Sequence, residues 1–488
     1  MTPRAAALAL SLSLAGCATA GGPFVCPAHG GPPWRDVASP HFLLRTDLGD
    51  DAAAALLARL ERLRAAVLSA LFDDAPAAEG GVEVVAFRSD AEYRPFAPPG
   101  VAAYYLRSAG GPPRIVLSGE LLTDQRAMLA HELTHHLVAA VFQRQPRWLA
   151  EGLATQMESL ADQGEGAEVA VGAPPPARLA RVRQSGHQVP VRELLAWDGT
   201  GGIERALDAY ATSWLLTHFL AYRHPAPFAD LQRRLAGGEP PDAAWAAAFP
   251  AWAPAAPNGL EGLDASLATY AQAEVQTRFR EVRSAWRGAP SVRPIPPAEV
   301  HAIRLSLWAI GPDKGAAALR AEVAETLAED PGHPLALQQL AALDRTDPLP
   351  LARAAVAAHL ADARAWTFLA TALRGPGAAA EREAAYRRAA ELAEGNAAAL
   401  HNLAVELLDQ GRSGEALPVA RRAASLAPWS PPVLDGFAAV LADLGRCREA
   451  IPVEQRAIDV LPERGGDAAR AALAARLARW EAQCRPRP

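Results

Sequence analysis

Two hydrophobic periods alternate in the first half of the chain and only one survives in the second. His41 to Thr46 (HFLLRT), Val82 to Phe87 (VEVVAF), Tyr104 to Leu106 and Arg114 to Leu117 (RIVL) are short apolar runs rich in branched and aromatic residues. Each reads as a β-strand. Between the first two, Leu56, Leu60, Leu63, Val67 and Leu71 recur at helical spacing, so Asp51 to Phe72 reads as an amphipathic helix. After the RIVL strand, Thr123 or Asp124 supplies an N-cap for a helix running to about Gln143, with Met128, Leu129, Leu133, Leu137 and Val141 on its apolar face. Pro146 suits the first turn of a further helix carrying Trp148, Leu149 and Leu153, and another runs from about Leu207 to Tyr222. Strands first and helices afterwards predict an α+β domain over residues 34–250. Two Pro/Ala-rich stretches, Phe249 to Pro257 and Pro290 to Pro297, bracket a helical segment, so residues 251–299 read as a helical linker. From His301 onward only helical periods and turns remain.

That second half repeats itself. Leu369-Ala370, Leu403-Ala404 and Phe437-Ala438 fall 34 residues apart, as do Ala389, Ala423 and Ala457. Gly411 to Ala416 (GRSGEA) matches Gly445 to Ala450 (GRCREA) at the same spacing. The period and pattern resemble tetratricopeptide repeats, helix–turn–helix units that bury their apolar face only by stacking. The resemblance is specific over about 362–463; residues 362–488 read as tetratricopeptide-like repeats and residues 300–361 as degenerate helical repeats. It implies an all-α solenoid that follows the α+β domain as a separable arm and offers a groove to a protein partner.

Composition narrows the class. With 488 residues, half of them hydrophobic and 21% charged, neither disorder nor a collagen-like chain is tenable. A net charge of −6 supplies no basic field for nucleic acid. At the N-terminus, Arg4 precedes the apolar stretch Ala5 to Leu14, which is the h-region of a signal peptide and too short for a membrane span. Leu14-Ala15-Gly16-Cys17 resembles the bacterial lipoprotein lipobox. The resemblance implies a signal peptide over residues 1–16, lipid on Cys17 and a place in the cell envelope. Ala18 after the cysteine favours the outer membrane, on its periplasmic or surface face. Residues 17–33, rich in Gly and Pro, read as a flexible tether. Membrane contact is expected through the lipid alone. In an oxidising compartment Cys447 and Cys484 are available to pair, which leaves Cys26 over.

The chemistry lies in His131-Glu132-Leu133-Thr134-His135. Histidines at i and i+4 stand one above the other on a helix, so both imidazoles reach a single ion. Glu132, one step along, is placed to take a proton from a water at that ion. A catalytic Zn²⁺ needs three protein ligands and one open position. Downstream, Pro146 to Ala154 (PRWLAEGLA) carries a W-L-x-E-G-x-A environment. Here the chain resembles the gluzincin branch of zincin metallopeptidases, in particular the peptidase-MA-like domains often joined to helical repeats, over Trp34 to Phe249. Carried onto this chain, the resemblance implies His131, His135 and Glu151 as zinc ligands, Glu132 as general base and Tyr210 as donor to the oxyanion. Thermolysin-like enzymes often place an Asp that orients a ligand histidine one turn after the ligand Glu, a role in which a threonine hydroxyl can also accept an imidazole N–H. This chain has Thr155 there, with Glu158 a turn later. His136 points about 100° away from His135 and reads as a polar residue rather than a ligand. His218, two turns beyond Tyr210, reads as structural. The strand Arg114 to Leu117 is expected at the cleft edge, pairing with an extended substrate.

The activity expected is zinc-dependent hydrolysis of a peptide or protein substrate by a lipid-anchored peptidase. The alternative is a non-catalytic tetratricopeptide scaffold lipoprotein carrying a relic zincin domain. Gly-rich stretches lack a P-loop lysine and no G-x-S-x-G occurs, so phosphate-binding and serine-hydrolase readings have no anchor.

Overall fold

The computed structural model describes residues 24–72, 81–97, 103–106, 112–119, 123–162, 168–198, 202–273, 277–282, 286–308, 316–461 and 467–483. Cys17 and Cys484 lie outside them. Cys447 is disulfide-bonded, and Cys26 is a buried free thiol. No helix among the described residues is long and apolar enough to cross a membrane.

The strands are β1 (Arg35–Ala38), β2 (Phe42–Thr46), β3 (Val82–Phe87), β4 (Ala103–Leu106), β5 (Arg114–Ser118), β6 (Ala161–Asp162), β7 (Glu168–Val171), β8 (Arg278–Glu281) and β9 (Ser291–Pro294). The main sheet runs β4-β5-β3-β2-β1-β9. Its centre, β2, β3 and β5, is parallel, whereas β4 and β1 run antiparallel to their neighbours. Every residue of β3 is buried, as a strand covered on both faces requires. The alternation of side chains sends Val84, Ala86, Ile115 and Leu117 to one face and Val85, Phe87 and Val116 to the other.

The first face is covered by α1 (Asp50–Leu71), through Leu56, Leu57 and Leu60. Beyond the short α2 (Asp90–Tyr93), α3 (Thr123–Val141) covers the same face through Leu129, Leu133 and Leu137. A helical lobe follows: α4 (Arg147–Met157), α5 (Pro176–Arg183), α6 (Val191–Leu195), α7 (Gly202–Arg223), α8 (Pro225–Ala236), α9 (Pro241–Ala248) and α10 (Gly259–Gln272). Trp148, Trp214, Trp245 and Leu263 lie in its core. Beside it β6, β7 and β8 make a small antiparallel sheet.

The rest is an all-α array: α11 (Pro297–Trp308), α12 (Ala316–Glu329), α13 (Pro334–Asp344), α14 (Pro348–Ala358), α15 (Ala363–Ala372), α16 (Ala379–Leu392), α17 (Ala397–Asp409), α18 (Ser413–Leu426), α19 (Pro431–Asp443), α20 (Cys447–Asp459) and α21 (Asp467–Gln483). Each helix packs on the next, as in a tetratricopeptide solenoid. The 34-residue period becomes geometry at Gly411 and Gly445, whose φ values of 72° and 71° close successive helix pairs. That left-handed backbone disfavours any side chain.

Several expectations need correcting. The tether does not extend to residue 33: Cys26 is buried, and the Phe24 ring lies 3.7 Å from the Arg304 guanidinium of α11 and edge-on to His301. Residues 251–299 are not a helical linker, because β8 and β9 follow α10 and β9 joins the main sheet beside β1. All four β9 residues are exposed, so the strand is held by backbone pairing and has no apolar run to reveal it. The array also does not start as a worn repeat standing apart. Val300, Ile303 and Leu307 of α11 cover the second face of the sheet, against Val85, Phe87 and Val116. At its other end the array returns to the first half. Ala139 of α3 is buried among Ala397, Ala423, Leu426, Trp429 and Val433.

Candidate metal centre

Three bodies surround α3. Leu129, Leu133 and Leu137 meet the sheet, Val138 and Phe142 meet the helical lobe, and Ala139 meets the array. His131 and His135 point into the space left over, their Nε2 atoms 3.1 Å apart. α4 reaches them because it packs tightly on α7. A Cβ at Gly152 would lie 2.1 Å from Thr217 Oγ1 and 2.6 Å from the Ser213 carbonyl oxygen, so only glycine permits the approach. The approach brings Glu151, the residue before it, against α3. Its Oε2 stands 3.4 Å from His131 Nε2 and 3.3 Å from His135 Nε2. The ligand atoms all lie within 4.8 Å of one another, and no other such group occurs among the described residues.

Electrostatics make this trio unlike an ordinary ion pair. Glu151 is buried, and its Oε2 receives no hydrogen bond of good geometry, while Oε1 pairs with Arg147 Nη2 at 3.1 Å. Burial opposes ionisation of Glu151, yet the His135 and His131 imidazoles and Arg147 outweigh it and hold the carboxyl well below the usual range. Burial also opposes charge on His131, and Glu151 and Glu158 push that imidazole up to about 10. A buried carboxylate oxygen without a donor, facing two imidazole nitrogens, is a donor set that suits a tetrahedral divalent ion such as zinc.

The outer support differs from the sequence expectation. Thr155 is fully buried and its Oγ1 has no hydrogen-bond partner. Glu158 takes the orienting place: its Oε1 is 3.0 Å from His131 Nδ1 and accepts a hydrogen bond from Arg178 Nη2 of α5 at 3.2 Å. Seven residues separate Glu158 from Glu151, two helical turns, which keeps both on one face. That spacing was the available signal. The Arg178 guanidinium lies 5.3 Å from the Tyr210 ring, and Tyr210 in turn is 6.5 Å, ring to ring, from His131. Tyr210 also meets Trp197 edge-on at 5.8 Å. His136 turns away from the trio toward Trp429 of the array, 4.3 Å between rings. His218 is buried on Tyr270 Oη and the Gly172 carbonyl and stacks on Tyr222, a structural role as expected.

The trio opens on a cleft of about 700 Å³. His131, Glu132, His135, Glu151 and Tyr210 line it from one side, with Tyr105 and Leu106 of β4. The edge strand is thus β4, and β5 (Arg114–Ser118) is interior, between β4 and β3. Ala139, Gln145, Arg147 and Ala150 also line the trio's side, and the facing lining, from Trp429 to Arg476, comes from α19, α20, α21 and the turns before them. No motif in the sequence marks the facing residues as neighbours of the site.

Residues 125–242, which hold every site residue just described outside β4 and the array, match the model of a family described as a protein of unknown function (DUF1570). No curated protein matches the chain in sequence. Similar solved structures include TTC0263, a thermophilic TPR protein in Thermus thermophilus, with 18% identity, covering 38% of this chain and 99% of that one at a TM-score of 0.30. Pseudomonas aeruginosa pilF has 18% identity, covering 38% and 86% at 0.31. YrrB, a TPR protein with an unusual peptide-binding site, has 16% identity, covering 37% and 89% at 0.27. At these scores the likeness bears on neither activity nor partner.

Proposed function

We propose that this chain is a zincin-like, zinc-dependent peptidase held at the bacterial cell envelope by lipid on Cys17. The observation that carries the reading is the convergence of Glu151 Oε2 on the Nε2 atoms of His131 and His135, in a cleft that also holds Glu132 and Tyr210. His131, His135 and Glu151 would hold the ion. When bound, zinc supplies Lewis-acid polarisation of an amide carbonyl and acidifies water.

The protein's own groups do the rest. Glu132 neighbours His131 in sequence but does not belong to the ligand trio, so its carboxylate is available to accept a proton from the attacking water. It then returns that proton to the leaving amine. The Tyr210 hydroxyl is the candidate donor to the developing oxyanion. Glu158 fixes the ring of His131 through Nδ1 and leaves Nε2 for the ion. The substrate class follows from β4: among the described residues it pairs only with β5, and an open strand edge takes up extended main chain by hydrogen bonding. The repeats, by their architecture, are proposed to hold a protein partner as well.

The test is metal analysis and peptide hydrolysis by the full-length chain beside Glu132→Gln and Glu151→Ala. Wild type should hold one zinc and cleave a mixed peptide library. Glu132→Gln should keep its zinc and lose activity by about 10²–10⁴-fold, as for loss of a general base. Glu151→Ala should lose the metal itself. A wild type with no zinc affinity would leave a scaffold, and an active Glu132→Gln would end the mechanism.

A further inference from the structure

We infer that the last helices of the array are the substrate-selecting wall of this cleft, and that they seat an apolar side chain of an extended peptide beside the reacting amide. The inference rests on the peptidase reading for the kind of ligand; the wall itself is read from the structure. Facing the trio are Pro431 and Pro432 at the start of α19, Leu461 after α20, and Ala472 and Leu473 of α21. On α21, Ala469, Ala472, Leu473 and Arg476 follow one another at helical spacing and form one face. Ala472 is exposed and ends at Cβ, so space is left in front of it.

The charges on this wall are already matched. Asp435 pairs with Arg476, and Asp459 accepts from Arg144 Nε at 2.9 Å. An acidic or basic side chain of a bound peptide therefore finds no unmatched charge there, whereas an apolar one loses its water against Leu461, Leu473 and the prolines. A volume of about 700 Å³ falls in the range of small-ligand sites and suits a few extended residues.

The wall is also fixed in place. Arg456 of α20 donates to the Ala139 carbonyl and, at 3.0 Å, to Gln143 Oε1. The Gln145 N–H donates to Asp459 at 3.0 Å, and Arg147 Nη1 donates to the Leu461 carbonyl at 3.1 Å. Trp429, at the edge of the wall, is buried on His136. The selecting surface and the metal ligands are thus held by one set of contacts, although more than 300 residues separate Arg147 from Leu461.

The experiment uses the full-length, zinc-loaded Glu132→Gln protein, so that peptides bind without turnover. Fluorescence anisotropy measures two pools of end-blocked, labelled octapeptides. One pool has Leu and the other Asp at a central position, and every other position is a mixture of Ala, Ser and Gly. The Leu pool should bind at least tenfold more tightly. Adding Ala472→Glu, which puts bulk and charge on the wall, should weaken that binding at least tenfold with zinc content and Tm unchanged. Ala474→Glu, on the opposite side of α21, should leave it as it was. Equal binding of the two pools, no binding of either, or an Ala472→Glu protein that binds like its parent overturns the inference. Wall-dependent binding by a protein whose Glu132-intact form cleaves nothing keeps the wall and removes the peptidase reading instead.

Discussion

Arg147 Nη2 lies 3.1 Å from Oε1 of Glu151, and the same guanidinium donates through Nη1 to the Leu461 carbonyl at the end of α20. One side chain therefore ties a buried carboxylate of the candidate metal centre to the array. Arg147→Met keeps the aliphatic stem and removes both contacts. Metal affinity, measured by competition with a chelator, should fall by about 10–100-fold, as for loss of a ligand's supporting partner. Arg147→Lys should recover only part of it, because an ammonium cannot span both acceptors with the planar fork of a guanidinium. Unchanged affinity in Arg147→Met would show that Glu151 is positioned by packing alone.

Glu158 and Thr155 make a paired comparison. Glu158→Gln removes the charge that holds His131 Nδ1, and the metal should bind about 10–100-fold more weakly. Thr155→Val removes a buried hydroxyl that has no partner, so affinity should hold and stability should stay level or rise. The opposite ranking would return the orienting role to Thr155.

Separability of the array is checked by truncation and by one core substitution. A chain ending at residue 361 exposes the side of α3 that Ala423, Leu426 and Trp429 now cover. It should lose its sharp thermal transition, which near-ultraviolet circular dichroism would follow. In the full chain, Trp429→Ala should cost about 3–5 kcal/mol by removing a buried ring. A truncated chain that melts cooperatively with its metal bound would restore the independent arm.

Acid should loosen the seam between sheet and array. Glu299 of α11 touches His333 at 3.2 Å, Arg364 of α15 at 2.9 and 3.0 Å, and Arg45 of β2 at 3.9 Å. Burial opposes its ionisation, but His333, Arg364 and Arg45 hold the carboxyl down at about 2, against an ordinary 4.5. A carboxyl depressed in the folded state adds stability above its unfolded value, and that stability drains as pH falls from 4.5 toward 2. Denaturant titrations of Glu299→Gln at pH 7 should show a loss on the order of 2 kcal/mol, reduced for partial exposure. Below about pH 2 the variant and wild type should converge. A constant difference across that whole acid range would remove the electrostatic explanation.

Most of the regular elements were legible because their signals are local. Val82 to Phe87 is β3, Asp51 to Phe72 is α1 within a residue at each end, and the Leu369/Leu403/Phe437 register marks equivalent positions in α15, α17 and α19. β1, β6, β7, β8 and β9 were missed: none is longer than four residues, and β8 and β9 are exposed throughout, so backbone hydrogen bonds hold those two without an apolar signature.

By itself the sequence determined that His131 and His135 share a helical face, because four residues span little more than one helical turn whatever surrounds them. It likewise determined the helix-pair repeat, since each copy carries its own turn glycine and small packing positions. The resemblance implied Glu151 beforehand; tertiary structure decided how that carboxylate reaches the histidines, which group orients His131 and what closes the cleft. Glu151 arrives because Gly152 lets α4 sink onto α7, and Glu158 rather than Thr155 reaches His131 Nδ1 because its oxygen, two turns on, lies within 3.0 Å. The array returns over α3 through small side chains, carbonyl oxygens and a few arginines. Contacts of that kind have no period along the chain, so only the folded path brings Leu461 and Leu473 to the cleft that holds His131.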